Sequence, residues 1–93
     1  MSAEPVPFEE VWRRIVAHER AFFRTQTGAW FTYRIDGDAL RPSQSDAVIP
    51  KSDFELAYAM VPFPSPAKIG RFVTGGNWVH AVLHDERIAC GSW

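Results

Sequence analysis

The sequence contains one cysteine, no long apolar run and almost no net charge. Because Cys90 has no second cysteine to pair with, an internal disulfide is excluded, and a free thiol favours a reducing, cytoplasmic location. No stretch approaches the ~20 apolar residues that span a bilayer, so no membrane partner is expected. Met1–Glu10 also lacks the basic and apolar regions of a signal peptide. These absences argue against a transmembrane protein and against a disulfide-stabilised secreted domain.

The composition is that of an ordinary globular domain. Of the 93 residues, 46% are hydrophobic and 23% are charged, which excludes wholesale disorder and the fibrous classes. A chain of this length forms one domain. We therefore predict a single domain over residues 1–93, with flexible ends at 1–5 and 90–93.

The charge is unevenly distributed along the chain. Ten basic and eleven acidic residues give a formal net charge of −1, which argues against a surface that is basic all round. Residues 11–34, however, contain five arginines and one acidic residue, so the rest of the chain is net acidic. A local basic face can bind phosphates through counterion release even when the total charge is near zero.

Segment 7–24 has the pattern of a long amphipathic helix. Pro7 suits a first helical position, and two glutamates follow it where the helix dipole favours negative charge. Apolar residues then recur in steps of three and four, which predicts one buried stripe. The members of this stripe are Phe8, Val11, Trp12, Ile15, Phe22 and Phe23.

Residues 30–41 have the pattern of a β-hairpin. Side chains alternate over 30–35 in the manner of a half-buried strand, and Asp36-Gly37 is a strong turn signal. The return strand ends at Pro42. The pattern leaves the register open: the partner of Ile35 is Asp38 for a two-residue turn, and Ala39 or Leu40 for a longer one.

The second half of the chain is predicted to hold two short helices and two strands, one of them a brief strand at Val48-Ile49. Ser52 and Glu55 form a capping-box pattern at the start of a helix over 53–60, and prolines forbid its continuation. A second short helix begins at Pro66 and ends before a pair of glycines. Residues 77–83 alternate in the manner of a strand.

These elements predict an α+β domain. Helices cluster rather than alternate with strands, which favours α+β over a parallel α/β architecture. The expected fold is a small antiparallel sheet, made of the hairpin 30–41 and the strand 77–83. This sheet packs against the long N-terminal helix and the two short helices.

No enzyme signature is present in the sequence. The chain has no G-x-S-x-G nucleophile motif and no phosphate-binding glycine loop. On the predicted strand, His80 and His84 lie on one face but ~13 Å apart, too far to share a metal ion. We therefore predict no catalytic residue, no metal site, no cofactor and no enzymatic activity.

The arginines and one tryptophan indicate instead a nucleic-acid contact. Trp30, Thr32 and Arg34 share the hairpin face opposite the core, and an exposed tryptophan beside arginine suits stacking on bases. The element order over 52–83 is also that of a winged helix-turn-helix, which would place the helix beginning at Pro66 in the major groove. The alternatives are an aromatic side chain that covers a sheet edge beside solvated arginines, and simple helix packing. The candidate nucleic-acid-binding residues are Arg20, Arg24, Trp30, Arg34, Arg41, Lys51, Lys68 and Arg71.

Several stretches of the chain resemble a family of small bacterial domains. These stretches are Phe23-x-Thr25-x-Thr27-Gly28-x-x-Phe31-Thr32-Tyr33, Gly37 with Arg41-Pro42-Ser43, Ile49-Pro50-Lys51-Ser52-Asp53-Phe54-Glu55, and Trp78–Asp85 as the family's C-terminal strand. The resemblance covers residues 23–88. The family comprises uncharacterised short proteins, alone or beside restriction-type and mobile-element proteins.

This resemblance implies a stand-alone or accessory module in contact with DNA. It carries over no catalytic residue. Where the family often has a positive residue after the Pro-Ser pair, this chain has Gln44, which argues against a phosphate contact at that position. The polar positions that the resemblance offers for DNA are Thr25, Thr27, Lys51 and Ser52.

The sequence therefore predicts a non-enzymatic binding module whose ligand is nucleic acid, with DNA as the expected form. The alternative is a protein-interaction module or a small homodimer without a nucleic-acid role. That alternative is motivated by Trp30, Trp78 and Trp93, which exceed the aromatic surface that a core of this size readily buries.

Overall fold

Four α-helices and two small antiparallel sheets make up residues 6–93, the part of the chain that this computed structural model describes. The predicted α+β class is confirmed, whereas the predicted flexible segment 1–5 lies outside the described residues. The elements in chain order are α1 (Phe8–Ala17), β1 (Phe23–Arg24), β2 (Trp30–Phe31), β3 (Tyr33–Asp36), β4 (Ala39–Pro42), β5 (Ile49–Pro50), α2 (Lys51–Tyr58), a 3₁₀ helix (Pro66–Lys68), α3 (Gly76–Leu83) and α4 (Glu86–Ala89).

Helix α1 is shorter than predicted, so the expectation of one helix over 7–24 is wrong beyond Ala17. It buries Val11, Trp12 and Ile15, as the apolar pattern predicts. One turn after Ile15 the chain offers only His18 and Glu19, so the apolar stripe stops and nothing holds the next turn against the core. The chain then turns through a left-handed residue and continues as a strand.

Strands β1 and β2 form a two-stranded sheet that the sequence did not predict as a unit. Phe23 pairs with Phe31 and Arg24 pairs with Trp30. The two phenylalanines are buried, while Arg24 and Trp30 lie on the exposed face. The apolar residue at position 23 therefore belongs to a sheet rather than to a helical stripe.

Strands β3, β4 and β5 form the second antiparallel sheet. Ile35 pairs with Leu40, which is one of the alternative registers, and Asp36 pairs with Ala39, so Gly37 and Asp38 form a two-residue turn rather than a longer one. The predicted strand over 30–35 is divided at Thr32, because its first part pairs with β1 and its second part with β4. The predicted alternation nevertheless holds on either side of this division. Arg34 lies on the exposed face, directly across from Arg41.

Helix α2 begins at Lys51, two residues earlier than predicted, and no side chain caps its N-terminus. Ser52 already lies within the helix, so the predicted capping box with Glu55 is wrong. The carboxylate of Asp53 instead accepts a hydrogen bond from the backbone N–H of Thr74 at 2.9 Å. This contact ties α2 to the loop that precedes α3.

Residues 77–83 form a helix, so the strand predicted there is wrong, and with it the third strand of the predicted sheet. Almost every residue from 79 to 83 is buried, and a short apolar run of this kind is compatible with a buried strand and a buried helix alike. Gly75, with φ of +65°, starts the helix. Its carbonyl accepts hydrogen bonds from the N–H groups of Trp78 and Val79.

The winged helix-turn-helix order is also wrong. The helix predicted to begin at Pro66 is a 3₁₀ helix of three residues, which is too short to lie along a DNA groove. The segment after the glycine pair, which would have been the wing, is α3 rather than a strand. Glu86–Ala89 form α4, with Asp85 as its N-cap.

The core lies between α1, α2, α3 and the inner faces of the two sheets. Trp12 packs on Phe54 with ring centroids 5.8 Å apart, and Phe23 packs on Tyr33 at 5.2 Å. The hydroxyl of the buried Tyr33 donates a hydrogen bond to the carbonyl of Ile15, which satisfies its polar atom. Within residues 6–93, no helix combines the length and the apolar character that crossing a bilayer requires.

Candidate functional site

Three arginines from separate elements lie around one groove on the outer face of β3 and β4. Arg20 comes from the turn after α1, Arg34 from β3 and Arg41 from β4. The groove has a volume of about 480 Å³, and no carboxylate of residues 6–93 lines it. We call it the cationic groove, and its polar lining includes Arg20, Thr32, Arg34, Arg41, Ser43 and Ser45. Glu19 and Asp36 line an adjoining depression that the same three arginines also border.

The backbone holds these arginines in place. Arg20 has φ of +73°, a left-handed conformation that non-glycine residues rarely adopt. Its N–H donates to the carbonyl of Tyr33 at 2.9 Å, which fixes the turn against β3. Arg34 and Arg41 are brought opposite each other by the sheet register. Like charges directly across a sheet repel each other, so this pairing is unfavourable in itself.

Nearby carboxylates neutralise the cationic groove only in part. Asp36 lies 3.5 Å from Arg41, but both side chains are exposed, and such pairs contribute only ~0–1 kcal/mol. The carboxylate of Glu19 accepts the N–H of Ile35 at 2.8 Å and so serves the backbone. Among the residues that the structure describes, neither Arg20 nor Arg34 forms an ion pair. The groove therefore presents positive charge to solvent.

A second groove lies beside the β1–β2 sheet, between that sheet and α3. Its volume is about 430 Å³. Phe22 and Trp30 are 66% and 57% exposed at this groove, among the most exposed large apolar side chains of the described chain. We call it the aromatic groove, and its lining includes Phe22, Arg24, Trp30, His84, Asp85 and Arg87.

Most charged side chains of the aromatic groove already have hydrogen-bond partners within the protein. Arg87 donates to both carboxylate oxygens of Asp85, at 2.8 and 3.0 Å, and to the carbonyl of Phe22 at 2.7 Å. Burial alone would raise the pKa of Asp85, but the hydrogen bonds from Arg87 outweigh it and lower that pKa. The same hydrogen bonds raise the pKa of Arg87. Arg24 remains, lying over the Trp30 ring at 5.5 Å.

His80 and His84 are neighbours on α3, which corrects the separation of ~13 Å expected for a strand. Their rings stack with centroids 4.6 Å apart. Nε2 of His84 accepts the N–H of Phe63 at 3.1 Å, and its Nδ1 lies 2.9 Å from the His80 carbonyl, so both nitrogens of His84 have backbone partners. Nδ1 of His80 is buried without a hydrogen-bond partner among the described residues.

The structure groups some of the predicted site residues and separates others. Arg24 and Trp30 pair in the aromatic groove, whereas Arg20, Arg34 and Arg41 meet in the cationic groove. Lys51 lies in an acidic depression, where it contacts Glu9 at 3.0 Å, and this hydrogen bond raises the pKa of Lys51. Lys68 and Arg71 are exposed near the 3₁₀ helix and line neither groove.

The tryptophans are better accommodated than the sequence predicted. Trp12 is buried, and Trp78 is half-buried against the core. Trp93 donates from Nε1 to the carbonyl of Leu83 at 2.7 Å and packs edge-on against Tyr58, so the C-terminal residue of segment 90–93 is attached to the fold. Trp30 alone of the four is exposed, which places it at a surface rather than in the core.

Sequence reasoning missed Phe22 and Arg87 as site residues. The apolar spacing predicts Phe22 on the buried stripe of a longer helix, and no predicted element contains Arg87. The available signal for Arg87 is the Asp85-x-Arg87 spacing at a helix start, with Asp85 as the cap. Ser43 and Ser45 lie beside the arginines only through the fold, which the sequence pattern does not reveal.

Comparison with protein-family models, with curated proteins and with solved structures found no match for this chain. The resemblance to a family of small bacterial domains therefore stays a prediction. Within residues 6–93, no group of three or more His, Cys, Asp or Glu side chains could hold a metal ion. The two grooves are thus the features from which a function can be argued.

Proposed function

We propose that this chain is a non-enzymatic binding module whose ligand is nucleic acid, with DNA as the expected form. The cationic groove would hold the phosphate backbone through Arg20, Arg34 and Arg41. Arginine suits this task because its planar guanidinium matches phosphate in a bidentate fashion. The hydroxyls of Ser43 and Ser45 would add neutral hydrogen bonds to phosphate oxygens.

The observation that carries the proposal is the convergence of three arginines on one groove, where they outnumber the two carboxylates, Glu19 and Asp36, of the adjoining depression. The three come from positions 20, 34 and 41, so the chain has to fold to bring them together. Two of them face each other across a sheet, an arrangement that is unfavourable in itself and that a bound anion relieves.

The wider setting of the module belongs to the same proposal. We infer a cytoplasmic bacterial protein, stand-alone or accessory to restriction-type or mobile-element proteins, without a membrane partner. The free thiol of Cys90 and the resemblance of residues 23–88 support this setting. Lys51, Lys68 and Arg71 are left out of the proposed contact, because Lys51 is paired with Glu9 and the other two lie outside the cationic groove.

Fluorescence anisotropy with labelled single-stranded and duplex DNA at low salt tests the proposal. We expect binding with a Kd on the order of 10 to 100 µM or tighter, the range of non-specific contacts. The triple variant Arg20→Gln/Arg34→Gln/Arg41→Gln should bind much more weakly, with residual affinity at low salt. The control Arg13→Gln/Lys68→Gln/Arg71→Gln removes the same charge away from the groove and should keep the binding. Absence of binding to both DNAs, or equal loss in both variants, would refute the proposal.

A protein-interaction module or small homodimer is the second candidate. Leu56 and Met60 are exposed four residues apart, and Phe72 is 57% exposed, so apolar surface remains outside both grooves. Exposed apolar patches of this kind mark protein contacts when they are contiguous. Light scattering over a concentration series separates the cases, since a strict monomer at the highest concentration removes the homodimer.

A further inference from the structure

The aromatic groove differs in chemistry from the cationic groove beside it. Arg87 is held by Asp85 and by the carbonyl of Phe22, so its charge is paired and the donors on Nε and Nη2 are occupied. Arg24 is the one remaining arginine of this groove, and it lies over the Trp30 ring. The aromatic groove therefore carries one uncompensated positive charge, that of Arg24, against three arginines in the cationic groove. It also offers exposed aromatic faces.

Packing of the core does not require Phe22 and Trp30 to be exposed. Both lie at the rim of a groove of about 430 Å³, a size within the ~300–1,000 Å³ of small-ligand pockets. The Trp30 side chain stands on a short strand whose backbone is anchored, because the Trp30 carbonyl accepts a hydrogen bond from the Gln44 side chain. A fixed, exposed aromatic ring beside arginine is the arrangement that stacks on unpaired bases.

The two grooves are connected by one run of backbone. Trp30, Thr32 and Arg34 alternate outward from the buried Phe31 and Tyr33. Because Thr32 lines the cationic groove and Trp30 lines the aromatic groove, the two grooves meet within two residues, a backbone distance of ~7 Å. A nucleic-acid strand whose phosphates contact Arg34 therefore has the aromatic groove within reach of its bases.

We propose that the aromatic groove receives an unpaired base of the same ligand, which makes single-stranded nucleic acid the preferred ligand. This inference rests on the proposed function, since the phosphates must lie in the cationic groove. In a duplex the bases are paired and stacked inside the helix, so they cannot turn toward Trp30. Stacking uses the face of a base rather than its hydrogen-bonding edge, so the preference among bases is weak.

Competition anisotropy with a single-stranded oligonucleotide of roughly 12 nucleotides, within the ~4–16 that small binding modules cover, tests the inference. The competitor is the duplex of the same length. We expect the single strand to bind more tightly. Trp30→Ala and Phe22→Ala should each weaken single-strand binding about 5- to 100-fold, the range for losing one stacked base. Duplex binding should stay unchanged in both variants.

Phe72→Ala is the matched control, because Phe72 is as exposed as Trp30 but lines neither groove. It should bind the single strand like the wild type, and Trp30→Phe should retain most of the affinity. The native circular dichroism of each variant confirms folding, which is expected because the replaced side chains are exposed.

Three results would overturn the inference. If the wild type binds the duplex as tightly as the single strand, and Trp30→Ala does not discriminate between them, the aromatic groove takes no base, while the proposed function stands. If neither nucleic acid binds, both proposals fall. If the wild type is a dimer that Trp30→Ala converts to a monomer, a second copy of this chain occupies the groove instead.

Discussion

At the scale of the residue, Arg20 has a backbone conformation that destabilises the fold and a side chain that serves the proposed site. It follows α1 with φ of +73°, where glycine is the usual residue and a side chain costs ~1–3 kcal/mol. The side chain it carries lines the cationic groove. A strained residue at such a position is consistent with a functional requirement for arginine there rather than a requirement of the fold.

Arg20→Gly should therefore stabilise the fold and weaken binding. Relief of the left-handed strain, offset by the greater flexibility of glycine in the unfolded chain, should raise the free energy of unfolding by ~0.5–1 kcal/mol. Urea unfolding measures this gain, and DNA anisotropy measures the loss of one phosphate contact. A less stable variant, or one that binds DNA as the wild type does, would contradict the role assigned to Arg20.

His80 should make the stability of the fold depend on pH near neutrality. Burial and the neighbouring His84 lower the pKa of His80 below its usual 6.5. Because the unfolded chain then takes up the proton more readily than the folded one, stability is present above pH 6.5 and decreases as the pH falls below it. His80 also lines the aromatic groove, whose charged groups are Arg24, Arg87 and Asp85.

Urea unfolding at about pH 7.5 and about pH 5.5 checks this dependence, in a range above the titration of ordinary carboxylates. The wild type should be less stable at the lower pH. His80→Leu removes the titrating ring and should show a smaller difference between the two conditions. Equal stability of the wild type at both pH values would be inconsistent with a lowered pKa of His80.

At the scale of elements, the first turn of α2 allows the predicted capping box to be tested against the contact that the structure shows. Ser52 lies within the helix, whereas Asp53 accepts the N–H of Thr74. Ser52→Ala should therefore change the free energy of unfolding by less than ~0.5 kcal/mol, as surface substitutions do. Asp53→Ala should cost ~1–2 kcal/mol through loss of a charged acceptor. The reverse order in urea unfolding would restore the capping box.

The start of α3 depends on Gly75. A Cβ there would lie 2.8 Å from Ile49 and 2.8 Å from Trp78, in a residue with φ of +65°. Gly75→Ala should cost ~2–4 kcal/mol, the sum of a left-handed alanine and an overpacked neighbour. Gly37→Ala is the control, because it shares the positive φ but meets nothing within 4 Å, and it should cost only ~1–2 kcal/mol. Thermal unfolding measures both.

The sequence predicted well the elements in which the spacing of apolar residues fits the period of a strand or that of a helix, but not both. Residues 30–36 alternate with polar positions between apolar ones, and the hairpin follows with one of its allowed registers. Residues 79–83 are apolar except for His80, so the period does not separate a helix from a strand, and only the left-handed Gly75 distinguishes them. The sequence did not predict the end of α1, because Phe22 and Phe23 continue the helical spacing of apolar residues. The helix itself ends before His18.

At the scale of the whole molecule, folding rearranges the charge that the sequence concentrates in residues 11–34. Arg13 and Arg14 share the single carboxylate of Glu10 on α1 and do not line the cationic groove. Arg20 and Arg34 join Arg41, which lies outside that segment. The sequence could identify the arginines, but the sheet register decides which of them share a groove, and register is a property of long-range pairing.

The salt dependence of DNA binding tests the central claim most directly. If three arginines each neutralise a phosphate of a single strand, the slope of log K against log salt between about 50 and 200 mM should be at least ~2 in magnitude. Arg20→Gln/Arg34→Gln/Arg41→Gln should flatten it by ~2, whereas Arg13→Gln/Lys68→Gln/Arg71→Gln should leave it nearly unchanged. Equal slopes in the two triple variants would contradict a phosphate site in the cationic groove.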